Sequence, residues 1–576
     1  MATRDSQTDL EFDVALRDLL VSIADAYRYM EMPVRQYALT ILLPATLFFL
    51  VTATVVATVD LPLTITATVL PLAGFSVLVA LVYPKLLQDR KRVQIRQRYH
   101  LFLTHLTVLS MTNIDRIEMF RRIANEDEYE AIAQEMGHLV ALVDTWNRSL
   151  EDACRLRAKQ VPSPLLSDFL ERLAYVVGGG QAVSEFLVDE QDSMIQEFVI
   201  RYEADLDKLD VLKELYLSLI LSAVFLLVFA IVIPFLLGTP PLLTIGGVIG
   251  IYAVVQVGFI YGVHQVSPSD PVWFIAETDG RSPVRNARLA LIAGVLLALV
   301  TMVAVLAVGA GLTPIDRTTL PPPIWAALPT VPLLLPGLIM RQEEQRVKTR
   351  DREFPSFIRA LGAVESVKQT STSNVLQSLR RKDFGALTEN IDALYKRLWM
   401  RIDSMGAWRL FAAETGSYLI QKFGDMYVTG REMGGEPKQL GQVISTNFSQ
   451  VLKVREQREQ TTTTLIGVIY GLTAASTFAF YAGIEVVKLL MEIASDMNLG
   501  DSELSFLLHP QLYDIPTIEL LIIFVLLLNA LLSAILIRIT DRGHFVSGYV
   551  HFVLLVWTGS VTAVITEIAV SSVISI

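Results

Sequence analysis

Tyr83-Pro-Lys-Leu-Leu-Gln-Asp-Arg-Lys-Arg92 and Met340-Arg-Gln-Glu-Glu-Gln-Arg-Val-Lys-Thr-Arg350 are the two places where a long apolar run gives way to a long polar block. The blocks, Pro84 to Glu214 and Arg341 to Gln460, are the only long stretches polar enough to live in water. Sliding the chain on itself by about 255 residues lays Tyr129-Glu-Ala-Ile132 on Phe384-Gly-Ala-Leu387 and brings Gly178, Gly179 and Gly180 near Gly434 and Gly435. One offset that aligns both the soluble blocks and their membrane edges argues duplication of a whole unit. That unit is spans, then a helical block, then spans.

The rest of the composition agrees. The chain has 576 residues, 52% hydrophobic and 19% charged, and the apolar residues are bunched, as in a polytopic membrane protein. Runs long enough to cross ~30 Å of hydrocarbon at ~1.5 Å per residue are Ala38–Val59, Leu61–Tyr83, Tyr216–Gly238, Leu242–Gly262, Ala287–Leu312, Pro323–Met340, Leu465–Val487, Ile518–Ile537 and Val550–Val570. About nine transmembrane helices therefore carry two helical-bundle domains, an all-α fold. The segmentation reads 1–37 amphipathic helix, 38–83 hairpin, 84–214 first soluble domain, 215–340 four spans, 341–462 second soluble domain and 463–576 three spans.

Lys and Arg mark the cytoplasmic side of short flanks. Lys85, Arg90, Lys91 and Arg92 follow the second span, Arg341, Arg346 and Lys348 follow the sixth, and the loops Arg281 to Arg288 and Arg538 to Arg542 are basic too. The loop between the seventh and eighth spans holds Lys488 alone against Glu492, Asp496, Asp501, Glu503 and Asp514. Both soluble blocks and the N-terminus are thus expected inside a multi-pass protein of the cell membrane, with the C-terminus outside. Ahead of the first span, Asp9 to Met32 repeats apolar residues at helical spacing until Pro33 and reads as a surface helix, with no cleavable signal before it.

Chemistry-bearing patterns are scarce. Cys154 is a single cysteine, and the seven histidines form no ligand set, so no metal site is expected. A phosphate-binding loop needs Gly-Lys-Ser/Thr at its end. Gly180 is followed by Gln181-Ala-Val183 and Gly435 by Glu436-Pro-Lys438, so the glycines Gly178, Gly179, Gly180, Gly434 and Gly435 read as structural turns at helix ends. No nucleophile with its base and no cofactor motif points to an enzyme. After each glycine cluster, Ala182–Tyr216 and Leu440–Gln460 run without a helix breaker towards the next span. A soluble block would then be tied to its membrane helix by one continuous rod.

Two all-helical blocks in a membrane protein, Leu109-Ser-Met-Thr112, Leu150-Glu-Asp-Ala153, Pro162-Ser-Pro-Leu165 and a glycine cluster before a long acidic helix resemble the type II secretion F-domain family. The resemblance is to its archaeal branch, the membrane platforms of archaella and type IV-like pili. It covers the chain from about Pro84 onward. In the second block only the two glycines and the helical rhythm recur. The resemblance implies a non-enzymatic scaffold in the lipid bilayer that docks a hexameric secretion or motor ATPase and organises pilin-like filament subunits, with neither cofactor nor nucleic acid. A homodimer would suit a sixfold motor. Overall length and similarity favour the archaellum, with an adhesion pilus or a secretion-like system as the alternatives.

Charge separates the two blocks. Pro84–Glu214 holds 17 Lys plus Arg against 23 Asp plus Glu, whereas Arg341–Gln460 holds 20 against 15. Such fields steer encounter and fix register, so the second block is the expected ATPase docking surface, through Arg380, Arg381, Lys382, Lys396, Arg397, Arg401, Lys422 and Arg431. The rival class is a secondary transporter, for which Pro44, Pro71, Pro234, Pro332 and Pro336 could break helices. Transporters place ionisable groups at mid-membrane depth. Here Asp60 and Glu485 sit at span ends and Glu567 lies late in the last span.

Overall fold

The computed structural model describes residues 34–58, 63–268, 270–274, 284–312, 314, 319–368, 372–496 and 514–574. The Asp9–Met32 helix, Asp60, Asp501 and Glu503 lie outside the described residues, as does the start of the basic loop at Arg281. Among the described residues the regular structure is helical, and the one β pairing is an isolated bridge between Trp273 and Ser417. The architecture is that of an all-α polytopic membrane protein.

In chain order the helices are α1 (Leu43–Thr58), α2 (Leu63–Ser110), α3 (Arg116–Ala124), α4 (Ala131–Asp144), α5 (Leu150–Ala158), α6 (Pro164–Gly178), α7 (Val183–Leu237), α8 (Pro241–Val266) and α9 (Val284–Gly309). Then come α10 (Leu334–Lys368), α11 (Thr372–Leu379), α12 (Thr388–Trp399), α13 (Ser404–Thr415), α14 (Tyr418–Glu432), α15 (Pro437–Asp496), α16 (Ile515–Asp541) and α17 (Gly548–Ile574). Among the described residues eight helices are long and apolar enough to cross a membrane. Each overlaps one of the expected spans, and α2 runs through the remaining one from Leu63. β-Branched residues such as Val55, Val56 and Thr58 are helical here because a backbone in hydrocarbon must satisfy its N–H and C=O groups within the segment. The proline-rich segment before α10 is split into Pro322–Ala327 and a tighter 3-10 turn, Leu328–Leu333, since Pro332 offers no N–H to an α-helical ladder.

The chain divides into two compact units, Met1–Met194 with Met433–Gly435, and Ile195–Glu432 with Glu436–Ile576. In the first, the lower half of α2 packs with α3 to α6 around Tyr99, Phe102, Phe120, Leu139, Phe169 and Leu173, all fully buried. Phe169 meets Tyr99 and Phe102 edge-on at 6.2 and 5.9 Å, the geometry aromatic quadrupoles favour. The local sequence sets the helix ends. Ser149 accepts from the Asp152 N–H at 3.1 Å and donates to its carboxylate at 2.9 Å, starting α5. Gly180 at φ 71° closes α6, with its N–H on the Val177 carbonyl and the Gln181 N–H on Val176. Glu135 and Arg157 form a buried ion pair; burial would raise the Glu135 carboxyl, but His138 and Arg157 hold it below its ordinary value.

In the second unit, α10 and α15 form a long pair whose soluble ends gather α11 to α14. Their aromatic core is Phe354, Phe357, Trp408, Phe411, Phe423 and Tyr427. The two helices cross at Gly362 and Gly441, where a Cβ on Gly441 would stand 2.9 Å from the Ile358 carbonyl oxygen. Apolar faces of α7, α8, α15, α16 and α17 build the membrane core around Tyr216, Ile249, Ile469, Ile522 and Val556. Within it Tyr252 and Gln256 of α8 donate to the Asn529 side-chain oxygen at 2.8 and 2.9 Å, and the Asn529 amide donates to Thr473 at 3.2 Å. One polar cluster thus ties α8, α15 and α16 where lipid offers no competing partner.

Candidate transmission junction and docking surface

Where the soluble ends of α10 and α15 meet the membrane core, the segment after α8 folds in among them. Arg542, just past α16, donates to the carbonyls of Pro268 and Ser267 at 2.9 Å each. Further along, Phe274 donates to the Gly416 carbonyl at 2.9 Å and Tyr418 donates back to Val272 at 3.1 Å. Gly416, at φ 68°, is the left-handed cap of α13 that lets the chain reverse beside this segment. A loop between two spans is therefore stitched by backbone bonds to the turn between α13 and α14.

The centre of the junction is Asp270. It accepts from Tyr202 of α7 at 3.1 Å, from Arg455 Nε of α15 at 2.8 Å, and from Arg458 one turn later. Arg455 also donates to the Pro271 carbonyl at 2.7 Å and reaches Asp351 of α10 at 3.3 Å. Asp351 in turn accepts from Ser417, whose oxygen caps the Ile420 N–H at 3.1 Å. The side chains of Arg455, Arg458, Asp351 and Asp270 are only 9, 4, 2 and 15% exposed. Burial alone would raise the Asp270 carboxyl; the adjacent Arg458 and Arg455 guanidiniums outweigh it and keep the group below its ordinary value. Two carboxylates and two guanidiniums balance, which is what makes so much buried charge tolerable. Such a cluster resists sliding of any one helix past the others, because each shift would strand a buried charge.

None of these residues was singled out from the sequence. The available signal was Ser267-Pro-Ser-Asp-Pro271, an acid held between prolines just after a span, and Arg455 with Arg458 on one face of α15.

The expected docking cations fall into two groups. Arg380 and Lys396 flank Asp392 at 3.4 and 2.7 Å, with the Arg380 guanidinium over Tyr395, and the exposed Lys382 lies over Phe384. Arg381 and Arg401 are exposed as well. Arg397 is buried and turned onto Glu414, and Arg431 donates to the buried Glu365 at 2.9 Å, so both hold the domain's own helices together. Lys422 is half-buried on α14. Gly434, at φ 84°, lies in the turn before α15. Among the described residues no group of three His, Cys, Asp or Glu side chains is arranged to hold a metal ion.

Comparison with known proteins now adds two findings. Residues 102–231 match the family of type II secretion system protein F. A protein of Methanocaldococcus jannaschii described as Flagella accessory protein J is 33% identical over 501 residues, 86% of this chain and 88% of that protein. The chain belongs to the Flagella accessory protein J family. The same description is carried by a Methanococcus voltae relative, 33% identical over 495 residues with 86% and 88% covered. No solved structure matches the chain. In this Flagella accessory protein J family member, the segment matched to protein F begins in the buried core of α2 at Phe102 and ends inside the membrane part of α7 at Ile231. It therefore includes the bundle of α3 to α6 and α7 as far as Ile231.

Proposed function

We propose that this chain is the membrane platform of an archaellum-type machine, anchoring a cytoplasmic motor ATPase and passing its conformational work to filament assembly and rotation. The observation that carries the reading is the 33% identity across 86% of the chain to relatives whose description ties them to flagella. In this reading both soluble blocks face the cytoplasm, as the basic flanks argue. The exposed cations Arg380, Arg381, Lys382, Lys396 and Arg401 seat the ATPase, two copies of the chain stand under the filament, and pilin-like subunits are its partners on the membrane side. Movement of the second soluble domain is carried upward by α15, 60 residues long without interruption, and by the Asp270 junction that fixes α15 to α7, α10 and the α8 loop. A chromosomal deletion complemented with the intact gene tests it. Loss of swimming and of the motility filament, restored together by the gene, is the expected result; loss of surface attachment with swimming intact would assign the platform to an adhesion pilus.

A further inference from the structure

Next to the junction, α10, α15, α16 and the start of α17 line a second polar space. It is a cavity of about 70 Å³, room for several waters or one small polar group. It lies where the apolar runs end, with Ile466 and Ile537 on its membrane side and the exposed Arg341 and Arg538 at its rim. Glu344 and Thr462 line it and are 4 and 2% exposed, yet Glu344 Oε1 and Thr462 Oγ1 have no hydrogen-bond partner. The neighbours Thr463 and Thr464 donate to carbonyls one turn back, at 2.7 and 3.1 Å; Thr462 does not. Lys348 stands among three carboxylates, 3.5 Å from Asp541, 3.6 Å from Glu459 and 3.9 Å from Glu344, beyond the ~2.7–3.2 Å of a hydrogen-bonded ammonium. The site is thus dipolar, cationic at the rim and carboxylate-rich inside, with an acceptor lacking a donor.

From the cavity, Thr463, Gly467 and Gly471 follow one another on an exposed face of α15, and a Cβ on either glycine would meet nothing within 4 Å. This is a smooth track along an apolar span that leads to the cavity mouth.

We propose that the cavity is a headgroup site for a phospholipid bearing a primary amine. The phosphodiester lies against Arg341 and Arg538, the ammonium donates to Glu344 and Thr462, and a chain follows the glycine track. Pockets between membrane helices with basic residues at the water boundary hold lipid phosphates, the part that Arg341 and Arg538 would play here. A choline headgroup has no N–H to offer Glu344, and a glycerol headgroup has no positive charge for the carboxylates. Lys348, Glu459 and Asp541 also line the small cavity beside Asp351, Arg455 and Arg458, so headgroup occupancy would stiffen the junction.

The test uses the full-length chain, delipidated in detergent and reloaded with phosphatidylethanolamine, phosphatidylglycerol or phosphatidylcholine, with retention read by native mass spectrometry. The amine lipid should be held about tenfold or more tightly than the other two, the factor carried by one charge-assisted hydrogen bond. Glu344→Gln and Thr462→Val should each erode that preference, and Arg341→Ala with Arg538→Ala should weaken the amine and glycerol lipids alike. Equal retention of the three lipids, or an unchanged preference in Glu344→Gln, would overturn the proposal. So would stabilisation by inorganic phosphate or free phosphoethanolamine equal to that by the lipid, which would assign the site to a soluble phosphate. Should a variant fail to fold, a photoactivatable phosphatidylethanolamine on the unsubstituted chain decides: labelling of 463–471 supports the site, and labelling confined to other helices overturns it.

Discussion

Arg455 and Asp270, 185 residues apart in the chain, are joined by a 2.8 Å bond from Nε to the carboxylate, and through it α15 is fixed to the loop that follows α8. A second hand of the same guanidinium reaches Asp351 of α10. One side chain thereby links α15 to α10 and to the loop between α8 and α9.

Replacing Asp270 with Asn should lower the stability of the second unit by about 3–5 kcal/mol, because two buried guanidiniums lose their counter-charge. The carboxyl is held below its ordinary value of 3.8, so its contribution is complete above that pH and is lost as pH falls through the lower, folded-state value. Thermal melts of the detergent-solubilised protein should therefore separate wild type from Asp270→Asn at pH 7 and converge at acid pH below 3.8. An equal gap at both pH values would mean that shape rather than charge holds the loop.

Gly441→Val tests the closest approach in the second unit. Its side chain would collide with the backbone of α10 at Ile358, and overpacking of this kind costs about 1–3 kcal/mol or forces the helices apart. Gly250→Val, on an open face of α8, is the matched change and should leave the melt within ~0.5 kcal/mol.

Asn529→Leu should weaken the membrane core by about 0.6–2 kcal/mol, the range for interhelical polar contacts in lipid. It removes the acceptor shared by Tyr252 and Gln256. Steric-trap unfolding in bicelles measures this, and a stabilised Leu variant would show that the cluster serves specificity rather than strength.

Cys154 is fully buried in the first unit, and burial pushes its thiol up to about 12. Maleimide at pH 7 should leave the native protein unlabelled and modify it with the kinetics of unfolding, since the thiolate is the reactive form. As the chain has a single cysteine, rapid labelling of folded protein would contradict the packing of α5.

Much of this was legible in the residues. The apolar runs, the breaks at Asn113, Asn125 and Pro162, and the unbroken stretch after Gly180 mark α2 to α7 because hydrophobic period and helix punctuation are local signals. The family resemblance was carried by the layout, two helical blocks bracketed by spans, more than by short phrases such as Leu109-Ser-Met-Thr112. The Asp270 junction was not legible, since its members come from positions 202, 270, 351, 417, 455 and 458, and no local rule announces a long-range ion cluster. The same blindness affects Arg397 and Arg431. By composition they are surface cations like Arg381; only packing reveals that Glu414 and Glu365 tie them to the domain's own helices.

The most direct measurement is the binding of the purified motor ATPase to the full-length chain in detergent, at low and at native salt. Reversal of Arg380, Arg381 and Lys382 to Glu should slow association and weaken it at low salt, and less so at high salt, where exposed charges are screened beyond the ~8–10 Å Debye length. Reversal of Asp205, Asp207 and Asp210 to Lys changes as many charges and should leave binding near wild type. Unchanged binding in the basic reversal together with lost binding in the acidic one would contradict the account.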